Sequence, residues 1–197
     1  MNSRNDIFAR WEPRRFGAAE AERITGVSQH VQRDWRRRKI IGRKEEAGRV
    51  QYDPVDLAAL ALIQVLSRTG LPLEPDINVL HWGKLAITNA ALRVDGAIEY
   101  APSVPRALIE STPEYFHLEN PPKLMLVTNF AAGPEGIAFE FMEDIRDLTS
   151  LLSGRGLASE DSFSVINFEA IGSKLARSAA CPLFDVLELS PRLGAGA

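Results

Sequence analysis

The sequence predicts an α+β protein: an N-terminal winged helix-turn-helix, a central helical segment and a small C-terminal α+β domain. Three observations carry this expectation. Residues 16–41, FGAAEAERITGVSQHVQRDWRRRKII, read as two short helices around a tight turn at Thr25-Gly26-Val27. The next segment, GRKEEAGRVQY, reads as a β-hairpin closed at Gly48, followed by a strong helix start at Asp53-Pro54. Further on, KLMLVTNF reads as a strand candidate, Gly133-Pro134-Glu135-Gly136 as a turn, and the alternating IAFEFM as the strand that pairs with the first.

The second helix of the opening pair is the most informative. Ser28 is suited to cap it, because its hydroxyl accepts an otherwise unpaired backbone N–H. Val31 and Trp35 are four apart, share a face, and would pack back on Ile24 and Val27. At about 100° per residue the opposite face carries Gln29, Arg33, Arg36 and Arg37, flanked by His30 and Gln32. Glutamine pairs with adenine and arginine with guanine in the major groove, and further arginines suit phosphates. In the hairpin, Arg43, Lys44 and Arg49 are placed to reach the backbone or the minor groove. The candidate DNA-binding set is therefore Gln29, His30, Gln32, Arg33, Arg36, Arg37, Arg43, Lys44 and Arg49. Read as plain structure, the same run is a solvated basic helix.

Charge is unevenly spread. Residues 1–50 hold 13 Arg/Lys against 7 Asp/Glu, net +6, while the remainder holds 10 against 19, net −9; the whole chain is −3. A basic module on an acidic remainder points to a polyanion partner at one end only. Arg10, Arg14 and Arg15 read either as an arm onto DNA or as a disordered start.

From Asp53 the helix VDLAALALIQVLSRTG runs to Gly70, with Pro72 beyond. Leu57, Leu60 and Leu66 are core positions. The order of helix, turn, arginine-rich helix, hairpin, Tyr-Asp-Pro and apolar helix resembles the MerR-type winged-helix DNA-binding domain. Gly26-Val27-Ser28, Arg33, Trp35, Ile40-Ile41, and Arg49 with Tyr52 stand in matching places over roughly residues 14–75. The resemblance implies DNA contacts from Arg33 and its neighbours and a wing contact from Arg49. Three positions depart from the pattern: Glu22 where a small Ala is usual, Asp34 where an aromatic is frequent, and Lys39 where Gly stands. Pro72 and Pro75 also interrupt the long dimerisation helix usual in that family.

Three units are expected: residues 14–75 as the DNA-binding domain, 76–121 as a helical connector or dimerisation region, and 122–190 as an α+β domain for ligand sensing or protein interaction. Asp76 is placed to cap a restarted helix, INVLHWGKLAITNAALR, holding His81 and Trp82. A lone histidine on an apolar helix reads as a packing residue rather than a ligand. Residues 94–122 are broken by Asp95-Gly96 and by Pro102, Pro105, Pro113, Pro121 and Pro122, with at most one helical turn at Arg106–Glu110. Beyond, Glu143–Leu152 is expected to be a helix with Ile145, Leu148, Leu151 and Leu152 on one face. Ser162–Phe168 is expected as a strand, then a helix through Ala180, then Leu183–Leu189 closing the sheet.

Several functions are excluded by what the sequence lacks. Asp144, Asp147, Glu160 and Asp161 pair with no histidine at a catalytic spacing, and Gly154-Arg155-Gly156 reads as a loop. No nucleophile elbow, phosphate loop or dinucleotide fingerprint occurs, so no catalytic residue, cofactor or enzyme activity is expected. The single cysteine, Cys181, makes an intrachain disulfide or a paired-thiolate metal site impossible and reads as a small buried residue. No apolar run reaches the roughly 20 residues that span a bilayer, and no signal-peptide pattern opens the chain, so a cytoplasmic protein is expected. The expected partners are double-stranded DNA, a second copy of the chain as a homodimer, and RNA polymerase or another protein. The competing expectations are a protein-interaction or phage-type adaptor, and a DNA-architectural or recombination factor.

Overall fold

The computed structural model describes residues 8–41, 45–46, 49–69, 77–102, 120–129, 137–154 and 162–189. Among them the chain runs β1 (Phe8–Pro13), β2 (Phe16–Gly17), α1 (Ala18–Thr25), α2 (Gln29–Arg37), β3 (Glu45–Glu46), β4 (Arg49–Tyr52), α3 (Pro54–Arg68), α4 (Ile77–Leu92) and β5 (Ile98–Tyr100). It continues with β6 (Leu124–Asn129), β7 (Ile137–Met142), α5 (Arg146–Gly154), β8 (Ser162–Asn167), α6 (Phe168–Ala179) and β9 (Phe184–Leu189). This mixture of helices and small sheets is the expected α+β class.

Local chemistry explains the element starts. Asp53 accepts from Asp56 N at 2.9 Å, Asp56 returns the bond to Asp53 N at 3.1 Å, and Pro54 supplies the first helical residue of α3. Asn167 caps α6 by accepting from Ala170 N at 2.9 Å. Gly26 ends α1 in the left-handed region at φ 76°, where a side chain would be strained. α3 ends at Arg68 with Thr69 as its cap, immediately before the expected stop at Gly70, which lies outside the described residues. α5 begins later than expected. Asp144 accepts from Arg146 N at 2.8 Å and pairs with its guanidinium at 2.6 Å, which starts the helix at Arg146 and leaves Ile145 exposed before it. That arginine also holds the Asp144 carboxyl down at about 2.

Among the described residues three small sheets result. The wing sheet is ordered β2-β4-β3, the second β7-β6-β8, and the third β1-β9-β5. The third sheet corrects two expectations. Leu183–Leu189 forms a strand, yet it does not close the β6–β8 sheet. It lies antiparallel to β1 and parallel to β5, so residues preceding the helix-turn-helix and residues near position 189 share a sheet. Nor is Arg14 part of an arm. Its guanidinium meets Asp185 at 3.0 Å and Glu99 at 3.3 Å, tying β1 to its sheet, and the bond to Asp185 raises its pKa. Arg15 lies 3.6 Å from Asp53, the cap of α3. Cys181 is half-buried rather than buried.

The core is shared. One cluster of buried side chains runs from Phe16, Ile24 and Trp35 through Leu57, Leu62 and Leu66, then Ile87 and Ala91, to Phe168, Leu175, Ala179 and Phe184. It crosses positions 75/76 and 121/122 without a break. α6 provides the join, packing on α4, α1 and α3. A Cβ at Gly172 would lie 2.5 Å from Ile87 O, 2.7 Å from Ala91 N and 2.8 Å from Ala90 Cβ, so the α4 backbone occupies the place of a side chain. Arg23 of α1 donates to Ser178 O and, at 3.2 Å, to Ala179 O, capping the C-terminal carbonyls of α6 where the helix dipole is negative. Gly172→Ala is therefore expected to lower the midpoint of urea unfolding, by about 1–3 kcal/mol of overpacking, even though alanine is the better helix former.

Candidate nucleic-acid interface

The turn between α1 and α2 is fixed from three sides. Gly26 N donates to Glu22 O at 2.7 Å, Thr25 Oγ1 accepts from Val27 N at 3.2 Å, and Gln64 of α3 donates to Gly26 O at 3.1 Å. Ser28 caps α2, accepting from Val31 N at 3.4 Å. Ile24, Val27 and Trp35 are buried with Val31 packed against them, as the spacing predicts.

That anchoring turns one face of α2 outward. Gln29, His30, Arg33 and Arg37 are exposed there. Gln29 Nε2 donates to Glu22 Oε2 at 2.9 Å, so Glu22, one of the departures from the pattern, orients the glutamine. One amide hydrogen and Oε1 remain for a partner. Arg33 Nε donates to Gln29 O at 3.3 Å, and its terminal nitrogens bond nothing among the described residues. Arg37 meets Asp34 at 2.6 Å with its side chain 81% exposed. Such surface pairs contribute roughly 0–1 kcal/mol and yield readily to a phosphate. On the wing, Arg49 is exposed on β4, opposite Glu46 of β3. Arg43 and Lys44, expected to grip backbone from the same hairpin, lie outside the described residues, as does its turn glycine Gly48.

Two expected contacts are placed otherwise. Gln32 is 0% exposed and points into the module. Its Nε2 donates to Ala18 O at 3.0 Å and to Val27 O at 2.8 Å, stitching α1 and the turn to α2. Helical position explains the difference: 32 falls between the outward residue 29 and the inward residue 35, and the amide satisfies inward carbonyls. Arg36 is half-buried. Its guanidinium donates to Tyr52 Oη and lies 5.9 Å from that ring's centre. Burial raises the Tyr52 pKa while the Arg36 charge opposes it. Arg36 thus ties the second helix to the wing strand, and Tyr52 is its partner, which sequence patterning alone did not assign.

The end of α2 accounts for a second departure. Ile40 N donates to Trp35 O at 2.9 Å and Lys39 N to Arg36 O at 3.0 Å, the paired bonds of a Schellman motif. Its left-handed residue is Lys39, at φ 60°, where glycine is normally favoured.

Among the described residues no three His, Cys, Asp or Glu side chains converge to hold a metal, and no helix is long and apolar enough to cross a membrane. Residues 17–75 match the family model described as MerR HTH family regulatory protein, under a third of the chain. The N-terminal module is accordingly similar to the helix-turn-helix of MerR-family regulatory proteins. No curated protein matches the chain.

Two outcomes are expected from denaturant titration. Lys39→Gly should stabilise by about 0.5–1 kcal/mol, the relief of left-handed strain less the entropy of glycine. Gln32→Leu should destabilise by about 1–3 kcal/mol through loss of two buried hydrogen bonds. It should leave the ratio of specific to non-specific DNA affinity unchanged, whereas loss of a base contact would lower that ratio.

Proposed function

We propose that this MerR-type module makes the chain a site-specific transcriptional regulator that binds double-stranded DNA as a dimer. In this reading α2 enters the major groove. Gln29 and Arg33 read base edges, His30 and Arg37 flank them, and Arg43, Lys44 and Arg49 hold backbone from the wing. Arg36 serves by fixing the wing to α2. The observation that carries the reading is the two-sided character of α2: Gln29, His30, Arg33 and Arg37 outward, Gln32 and Trp35 locked inward.

As units of function we keep residues 14–75 for reading DNA, 76–121 as connector and 122–190 for interaction or sensing, although the three share one core. Specificity from so small a basic surface depends on base contacts, because the net negative remainder adds nothing to phosphate attraction. No catalytic role is assigned, and RNA polymerase or another protein is a further partner in this reading.

Genome-wide occupancy, followed by gel-shift on the strongest site, tests it. A few sharp peaks sharing an inverted repeat support the reading. Diffuse or absent enrichment, or stable capture of a protein partner without DNA, would turn it toward the adaptor alternative. With a site in hand, Arg33→Ala should cost about 1–3 kcal/mol on the specific sequence and less on random DNA. Arg49→Ala should weaken all sequences alike and reduce the slope of log K against log salt by about 1.

A further inference from the structure

We infer that β8 is a homodimerisation edge, where two copies of the chain join their β7-β6-β8 sheets into one continuous six-stranded sheet. The inference supplies the surface for the dimer proposed above, but it stands on the sheet and not on DNA binding.

An open strand edge invites pairing, and proteins guard such edges with charge, proline or shortness. Among the described residues the other edge strands are guarded. β1 carries Arg10, Glu12 and Pro13, β5 carries Glu99, β7 carries Glu140, β3 is two glutamates, and β2 is two residues long. β8, SFSVIN, has six residues and no charge or proline. Its partner β6 lies on one side, and no described strand lies on the other.

The chemistry of that edge is self-complementary. Phe168 N donates to Lys123 O at 2.8 Å, in register with the β6–β8 pairing. Strand alternation then turns the backbone groups of Ser164 and Ile166 toward β6 and those of Phe163, Val165 and Asn167 toward the open edge. Phe163 and Val165 are also 48% and 36% exposed, two of the few large apolar side chains left in solvent among the described residues. A two-fold axis at Val165 sets Val165 against its own copy and Phe163 against Asn167 of the second copy. The contact is isologous and meets no like charges. A heterologous peptide would fit the edge but would gain nothing from this symmetry.

The full chain should be compared by sedimentation velocity over a concentration series with Val165→Lys, Phe163→Lys and, as an exposed apolar control on a central strand, Leu187→Lys. A dimeric wild type and control are expected. Val165→Lys should weaken self-association by at least about tenfold, since like charges then face each other, and Phe163→Lys should weaken it as well. A second measurement does not depend on a lysine being tolerated. In a Cys181→Ser background, Val165→Cys should form a covalent dimer on mild oxidation and Leu187→Cys should not. A monomeric wild type, a dimer indifferent to both lysines, or no crosslink at position 165 would overturn the inference. A monomer that still shifts a specific DNA site would overturn it and leave the DNA reading standing; a β8 dimer that binds no DNA would do the reverse.

Discussion

The close crossing of α6 on α4 is the constraint on which the rest of the molecule depends. At Gly172 the two backbones approach to where a side chain would be, and that proximity seats Phe168, Leu175 and Ala179 in the same core as Leu57, Leu62 and Ile87. Because α6 also touches α1 and α3, the helix-turn-helix is not a separate bead on a linker. Its first helix is held by a helix that follows it by some 150 positions in the chain, and Arg23 reinforces the seat by capping that helix's terminal carbonyls.

This arrangement bears on the interface. A reading helix needs a fixed angle more than it needs strong contacts, since base recognition requires side chains placed to within about half an ångström. The angle of α2 is set by Gln32 reaching back to Ala18 and Val27, by Gln64 gripping the turn at Gly26, and by Arg36 tied to Tyr52 on the wing. Of these groups Gln32 is buried and Arg36 half-buried, while the Gln64 bond lies at the surface, so removal of Gln32 costs the most stability. Gln29, His30, Arg33 and Arg37 lie on the exposed face of the same helix.

The departures from the family pattern have local explanations. Glu22 orients Gln29. Asp34 meets Arg37 at the surface. Lys39 occupies a left-handed cap despite its side chain, which the Schellman bonds and the packing of Ile40 beside the core compel.

By itself the sequence determined the local elements: the two helices around Gly26, the wing, the Asp53-Pro54 start, and the strands β6, β7 and β8. These follow from periodicity, capping and turn chemistry, which act within a few residues. It also determined the basic character of α2 and which apolar residues anchor it. Tertiary structure alone decided that Gln32 faces inward and Arg36 sideways, because a polar side chain at the margin of a helix face takes whichever partner the neighbouring elements offer. It decided that Arg14 is an ion-pair partner rather than an arm, and that β9 joins β1 and β5 rather than the sheet beside it in sequence. Strand alternation states which face a residue takes, while the choice of partner strand rests on long-range packing that no local pattern encodes.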